Sequence, residues 1–389
     1  MTIKNAGSQL AFSEIEAEFG QPDNGRTLGR FRRNDSEFKN KNCGDLTNLP
    51  LDTGIPVSGE IKFSDFYGKK LNMVVDYYSD SQNRQNAGAN TMAATWRYNN
   101  QSSKVKVVGG YRDRPTGSVS SYSLSSSNWQ GGKKVMIHVN TNIGGVKSTS
   151  TGNTAQTNDR RFVALRTGQW PSGTTLHIDI GDSGRVQGAG GNGKQGATNS
   201  GTPGRAFPGT SGLGVEYAAV IDNNGIIRCG YGGGGGGTGG NSNPNKNPQD
   251  YGRGGGGGAG GAGFPAGGGG AAGPDGFGGG PQPDGEAGGA GSLNGSGAPG
   301  DGGNSYRGAF GGAGGDGGGF GPGQSPAAAE GGTGGTGQGR GYSASQEGGE
   351  PGVNGFVIIF RNSTVESQTD GAKNTPGSEG GDSNSQAIQ

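Results

Sequence analysis

Cysteine and histidine are almost missing from this 389-residue chain, which carries Cys43, Cys229, His138 and His177 and no others. The cysteines form neither a CxxC pair nor a zinc pattern, so a disulfide scaffold and a structural zinc site drop out and free thiols are expected. Two histidines leave little for acid–base chemistry or metal ligation. An excess of either charge is missing as well. The 32 basic and 31 acidic residues leave a net charge of +1, which gives no electrostatic case for nucleic acid or an anionic membrane. No apolar run approaches the ~18 residues of a membrane-spanning helix, and residues 1–5 do not open the apolar stretch of a secretory signal. Core-forming side chains (AVILMFWYC) are sparse at 27%. These absences argue against an enzyme and against a cofactor or metal.

Glycine fills the gap. The chain has 93 glycines, 56 of them within 231–360, against a share of ~7% in average proteins. Between 231 and 350 there is no Val, Ile, Met or Trp and a single Leu, Leu293. Burial of apolar area cannot hold such a stretch together.

The rest of the chain reads differently. Residues 1–68 suggest a small, mostly irregular module with short helices. Ser13 and Glu16 match a capping box, and Ile15 and Phe19 share a helical face. A second apolar motif, with Ile61, Phe63 and Phe66, ends on Gly68. With so few apolar residues the module is expected to be completed by a partner, through Phe12, Ile15, Phe19, Ile61, Phe63 and Phe66. From 69 to 180, β-branched runs such as 71–77, 104–108, 134–139, 161–165 and 176–180 alternate with Ser, Asn and Gly clusters, the pattern of an antiparallel β-sandwich. Residues 217–227 add a β-unit whose Asn224-Gly225 reads as a hairpin turn. The last apolar run, 356–360, is expected to return and close the glycine-rich region. The fold expected is therefore all-β: the N-terminal module, a sandwich over 69–180, a glycine-rich domain over 181–360, and a flexible polar tail over 361–389.

Four readings of the glycine tract compete. Disorder is the default for low-complexity glycine. Collagen needs Gly at every third residue, and 254–258 and 267–270 break that register. An elastomeric filler would repeat one short motif, which this tract does not do. The fourth reading is a bundle of polyproline-II-like polyglycine helices whose N–H and C=O groups pair between neighbours. It is favoured by runs of similar length (230–240, 252–263, 266–280, 311–321 and 331–341) and by aromatics near the run ends. Valine at Gly256, Gly268 or Gly318 should then be disruptive.

Other motifs carry little. Gly188, Gly190 and Gly193 satisfy G-x-G-x-x-G, but no helix pattern follows, and such matches arise by chance at this glycine content. His138 and His177 read as sheet residues. Asp179 and Asp182 could serve glycan hydrolysis, which usually needs a larger groove. The arginines around Arg30 read as a solvated or protein-contacting stretch.

The string 170–180 followed by 184–193, and 217–227 running into 232–237, resemble glycine-rich tail proteins of bacteriophages. Segments 12–20 and 55–68 are similar to a short leader on phage virion proteins, and the tract resembles the receptor-recognising tip adhesins of T-even-like phages. The resemblance implies a virion protein at the distal end of a tail or fibre. Its N-terminus would attach to other tail or baseplate proteins, and loops of its glycine-rich domain would bind a host glycan or outer-surface protein. It leaves homo-oligomerisation open. A non-adhesive structural or adaptor role in the tail is the alternative. Counting one reversal per connection puts 241–251, 281–287 and 322–330 at the far end and 264–265, 301–309 and 342–351 near the β-domain. The receptor-binding candidates are then Asn245, Lys246, Asn247, Gln249, Asp250 and Tyr251, with Gln282, Asp284, Gln324 and Ser325; the bland reading is that these are simply turns.

Overall fold

Short β-branched stretches interrupted by Gly, Ser and Asn do form strands, and most of those strands run parallel. The computed structural model describes residues 3–19, 27–32, 54–82, 84–88, 100–101, 105–109, 132–152, 159–197, 203–239, 254–274, 285–302, 312–320, 326–327, 330, 348–361, 365–369 and 380–382. The first strands are β1 (Met73–Tyr77), β2 (Gln85–Asn86), β3 (Asn100–Gln101), β4 (Val105–Gly109), β5 (Lys134–Val139) and β6 (Asn142–Gly144). Next come β7 (Val163–Arg166), β8 (Thr175–Ile180), β9 (Arg185–Gln187), β10 (Ser211–Val215), β11 (Ala219–Asn223) and β12 (Ile226–Arg228). A short pair, β13 (Gly319–Phe320) and β14 (Pro326–Ala327), precedes β15 (Ile358–Arg361), β16 (Val365–Thr369) and β17 (Gly380–Asp382).

Their pairing describes a winding. Strands β5, β6 and β7 lie in three different sheets, and β8, β9 and β10 repeat that order alongside them, each parallel to its counterpart. Strands β11, β12 and β15 repeat it again. The chain thus circles a three-sided prism, contributing one strand per face per coil. Below these coils β1 lies beside β5, Ser81 bridges to Ile143, and β2 lies beside β7. At the other end β16 and β17 extend two of the faces.

The antiparallel sandwich expected over 69–180 is corrected by these ladders. Among the described residues, antiparallel pairing is limited to β4 with β1 and β3 and to β13 with β14. Alternation records which face of a strand is buried and is silent on the direction of its neighbour. Asn224-Gly225 marks a prism corner between two faces: the Asn224 and Gly225 N–H groups donate to Ile180 O.

Like residues stack up the interior. Ile137, Ile178 and Ile221 are in register on one face, Ile143, Val186 and Ile227 on the second, and Leu165, Leu213 and Ile358 on the third. All nine side chains are buried, each contributing about 1.5–3 kcal/mol by removal from water.

The N-terminal module has its own small core. Helix α1 (Phe12–Phe19) and the 3₁₀ turns Leu28–Phe31 and Phe63–Phe66 bury Ile15, Phe19, Phe31, Ile55 and Phe66 with Ile3, Leu10 and Leu71, with edge-on contacts of Phe66 to Phe19 and Phe31. The helix starts before the expected Ser13 cap, and the carboxylate that reaches back belongs to Glu14, whose Oε2 accepts the Ala11 N–H at 2.8 Å. At the other end of the helix Glu18 Oε1 accepts the Leu71 N–H at 2.9 Å and meets Lys133 Nζ at 3.1 Å. Both side chains of that ion pair are almost fully buried, so the module is fixed to the prism.

Candidate functional site

Glycine-rich chain leaves the prism at one corner, between the β6, β9, β12 face and the next. Segment 188–210 joins β9 to β10, and 229–357 joins β12 to β15. Outside the prism the described parts of these segments form straight runs that bond to one another at every third residue. Gly191, Lys194 and Ala197 donate to Tyr231, Gly234 and Gly237; Tyr231, Gly234 and Gly237 donate to Ala262, Ala259 and Gly256. The central run, 254–263, bonds three neighbours in rotation: Gly255, Gly258 and Gly261 donate to 188–197, Gly256, Ala259 and Ala262 to 312–318, and Gly257, Gly260 and Gly263 to 286–292. A three-residue turn with no side chains allows this, because successive N–H groups point about 120° apart. The bundle is held by backbone hydrogen bonds where an apolar core is lacking.

The bonding order fixes the direction of each run. Run 230–238 leaves the prism and 254–263 returns antiparallel to it; 267–273 leaves and 285–291 returns. The chain then reverses at Ser292, Leu293, Asn294 and Gly295, against the prism, and 297–301 leaves antiparallel to 286–289. Runs 312–318 and 349–355 both return, antiparallel to 230–238. This extra reversal inverts the expected alternation beyond it. The residues flanking 240–253, 275–284 and 303–311 stand at the far end, and β13 and β14 stand at the prism end. The turn had a legible signal in Asn294-Gly295, inside a stretch too irregular to count as a run.

At the prism end the connections are seated closely. Gly145 donates to Phe264 O and Gly190 to Pro265 O; Gly144 must be glycine, since a Cβ there would lie 2.3 Å from Phe264 O. The 292–295 turn rests on the outer side of the β6, β9, β12 face. Asn294 Oδ1 accepts from Arg185 Nη1 at 3.1 Å and from Arg228 Nη1 at 2.8 Å, and Leu293 O accepts from Gln187 Nε2 at 3.0 Å. Burial, with the Arg228 charge nearby, pushes the Arg185 guanidinium down to about 10. Burial also lowers Arg228 and raises the Tyr231 hydroxyl. Sequence reasoning gave no role to Arg185, Gln187, Arg228 or Asn294.

The receptor-binding candidates Asn245, Lys246, Asn247, Gln249, Asp250, Tyr251, Gln282, Asp284, Gln324 and Ser325 lie outside the described residues. Of the attachment candidates, Ile15, Phe19 and Phe66 are sealed in the module's core, while Phe12 and Ile61 are partly covered. Phe63 is 40% exposed, with its ring edge-on to Phe12 at 6.2 Å.

A family model for the phage tail fibre adhesin Gp38 matches residues 116–329, more than half of the chain. The chain belongs to this family of phage tail fibre adhesins. The adhesin is thus a virion component of the tail fibre that binds a host receptor. The matched residues take in the coils from β5 to β12 and most of the glycine tract. Among solved structures, a chain of the gp37–gp38 adhesin tip complex of the bacteriophage S16 long tail fibre aligns over 95% of the adhesin and 97% of its own length, at 14% identity and a TM-score of 0.37. A likeness that distant carries no argument about architecture. Comparison with curated proteins finds no match.

Proposed function

We propose that the adhesin sits at the distal end of the fibre, docks on another tail or baseplate protein through its N-terminal module, and meets the host surface at the far end of its glycine bundle. It acts by binding, without catalysis or nucleic acid. The observation that carries this reading is the alternation of run directions, which gathers the flanks of 240–253 and 275–284 at the end away from the prism. Those connections hold Asn245, Lys246, Asn247, Gln249, Asp250, Tyr251, Gln282 and Asp284. Their amides, ring and charges suit a glycan or an outer-surface protein, and a rigid support reduces the ordering cost of binding. Gln324 and Ser325 lie in the sequence between β13 and β14, two strands that stand at the prism end, and the reading gives them no receptor contact.

Exchanging 240–253 and 275–284 for the corresponding segments of an adhesin with another host range is expected to change which cells adsorb the phage, with particle assembly intact. A change of host range on exchanging 264–265 or 321–325 instead would overturn the reading. On the docking side, Ile15, Phe19 and Phe66 act from inside by shaping the surface that Phe63, Phe12 and Ile61 present. Phe63→Asp is expected to leave the melting temperature of the isolated adhesin unchanged, since exposed substitutions usually stay within about 0.5 kcal/mol. Its incorporation into particles, read by immunoblot of purified virions, should fall by at least tenfold; full incorporation would place the docking surface elsewhere.

A further inference from the structure

The outer hairpin of the bundle, 285–291 and 297–301, has a register problem that its backbone cannot solve. Its inward-facing glycines recur at every third residue: a Cβ at Gly285, Gly288 or Gly291 would meet Gly255 O, Gly258 O or Gly261 O at 2.2–2.4 Å. Its carbonyls accept from the central run at the same spacing, Glu286 from Gly257, Gly289 from Gly260 and Ser292 from Gly263. A slide by three residues returns two of these three glycines to glycine positions and sets carbonyl against N–H again. The shift would amount to about 9 Å at ~3.1 Å per residue. Repetitive, side-chain-free pairing specifies register weakly, as in glycine-rich strands.

We infer that Asn294 is the register key of this hairpin, and that through it the prism sets where the residues at the hairpin's far end, Gly285 and Gly302, stand. Two like-charged guanidiniums from successive coils, each only 8% exposed, converge on one amide oxygen, and that oxygen exists at one position of the hairpin. The buried Gln187 side chain reads the neighbouring carbonyl of Leu293, and Arg185 Nη1 steadies Gln187 Oε1 at 2.7 Å. The turn is closed on itself by Ser292 and Gly295, so the side chain cannot slide independently of the hairpin. At the 264–265 connection the anchors are backbone groups, Phe264 O and Pro265 O. At 292–295 side-chain chemistry selects the position. Asn294 is a positioning residue; its effect on receptor contact rests on the function proposed above.

The test compares Asn294→Ala with Asn294→Asp in the full chain. Asp keeps the acceptor and strengthens it with charge. Peptide-resolved hydrogen exchange should show 285–302 exchanging at least tenfold faster in Asn294→Ala, with 230–238 unchanged, and Asn294→Asp should match the parent. Inhibition of phage adsorption by the purified protein should weaken at least tenfold for the Ala variant and recover with Asp. Unchanged exchange at 285–302, faster exchange across the whole bundle, or failure of Asp to rescue would overturn the register key. Faster, rescued exchange with undiminished inhibition would leave the key standing and refute the assignment of host contact to the 275–284 connection.

Discussion

Gly256→Val is expected to unfold the glycine bundle, and Gly268→Val is expected to leave it standing. At Gly256 a Cβ would lie 2.0 Å from Gly300 O and 2.8 Å from Asp301 O, both backbone atoms of a neighbouring run. Relief requires that run to move away, which breaks the bonds from Gly300 to Gly257 O and from Gly314 to Gly300 O. Each stranded buried group costs about 1–3 kcal/mol, and overpacking adds about 1–3 kcal/mol. A loss of roughly 3–9 kcal/mol is a large part of a domain's usual ~5–15 kcal/mol. At Gly268 the nearest atom to a Cβ is the Asn192 side-chain oxygen at 3.4 Å, which can yield, so the cost should stay below about 1 kcal/mol. Sequence alone puts Gly256 and Gly268 in one class. The difference is that Gly268 lies on the bundle's periphery. Thermal melts of the two variants, followed by amide exchange in 254–263, check the contrast.

Lys133→Met is expected to cost about 3–5 kcal/mol, the usual penalty for removing one partner of a buried ion pair. Glu18 would be left charged and almost fully buried, holding, among the described residues, the Leu71 N–H. Adding Glu18→Gln should recover most of that loss, because glutamine keeps an acceptor for Leu71 and removes the orphaned charge. Denaturant titration of the two single variants and the double variant gives the coupling directly. Single and double variants of equal stability would mean that the pair does not fix the module to the prism.

The sequence made the strands more legible than their arrangement. The runs at 134–139, 161–165 and 176–180 overlap β5, β7 and β8 because alternating β-branched residues report a buried face. Strands β6 and β9 have three residues each, too few for a period to show, and they are the third side of the prism. Without them the longer strands look like a sandwich. Parallel pairing also depends on partners a full coil away in sequence, such as Ile137 beside Ile178, which local pattern cannot supply. In the tract, glycine spacing marked the runs but not their directions, since backbone pairing carries no side-chain signature. One unrecognised turn, with Asn294 at its tip, was enough to invert the order of every connection after it.

The central claim is that an ordered glycine bundle carries the host contact. Its most direct test is competition: host cells are pre-incubated with purified adhesin, and phage adsorption is then measured across a concentration series. The parent protein and Gly268→Val are predicted to saturate the cells and block adsorption at the same concentrations, whereas Gly256→Val, its prism still folded, should not block. Equal blocking by Gly256→Val with a demonstrably unfolded bundle would contradict the claim and place the host contact on the prism or the N-terminal module.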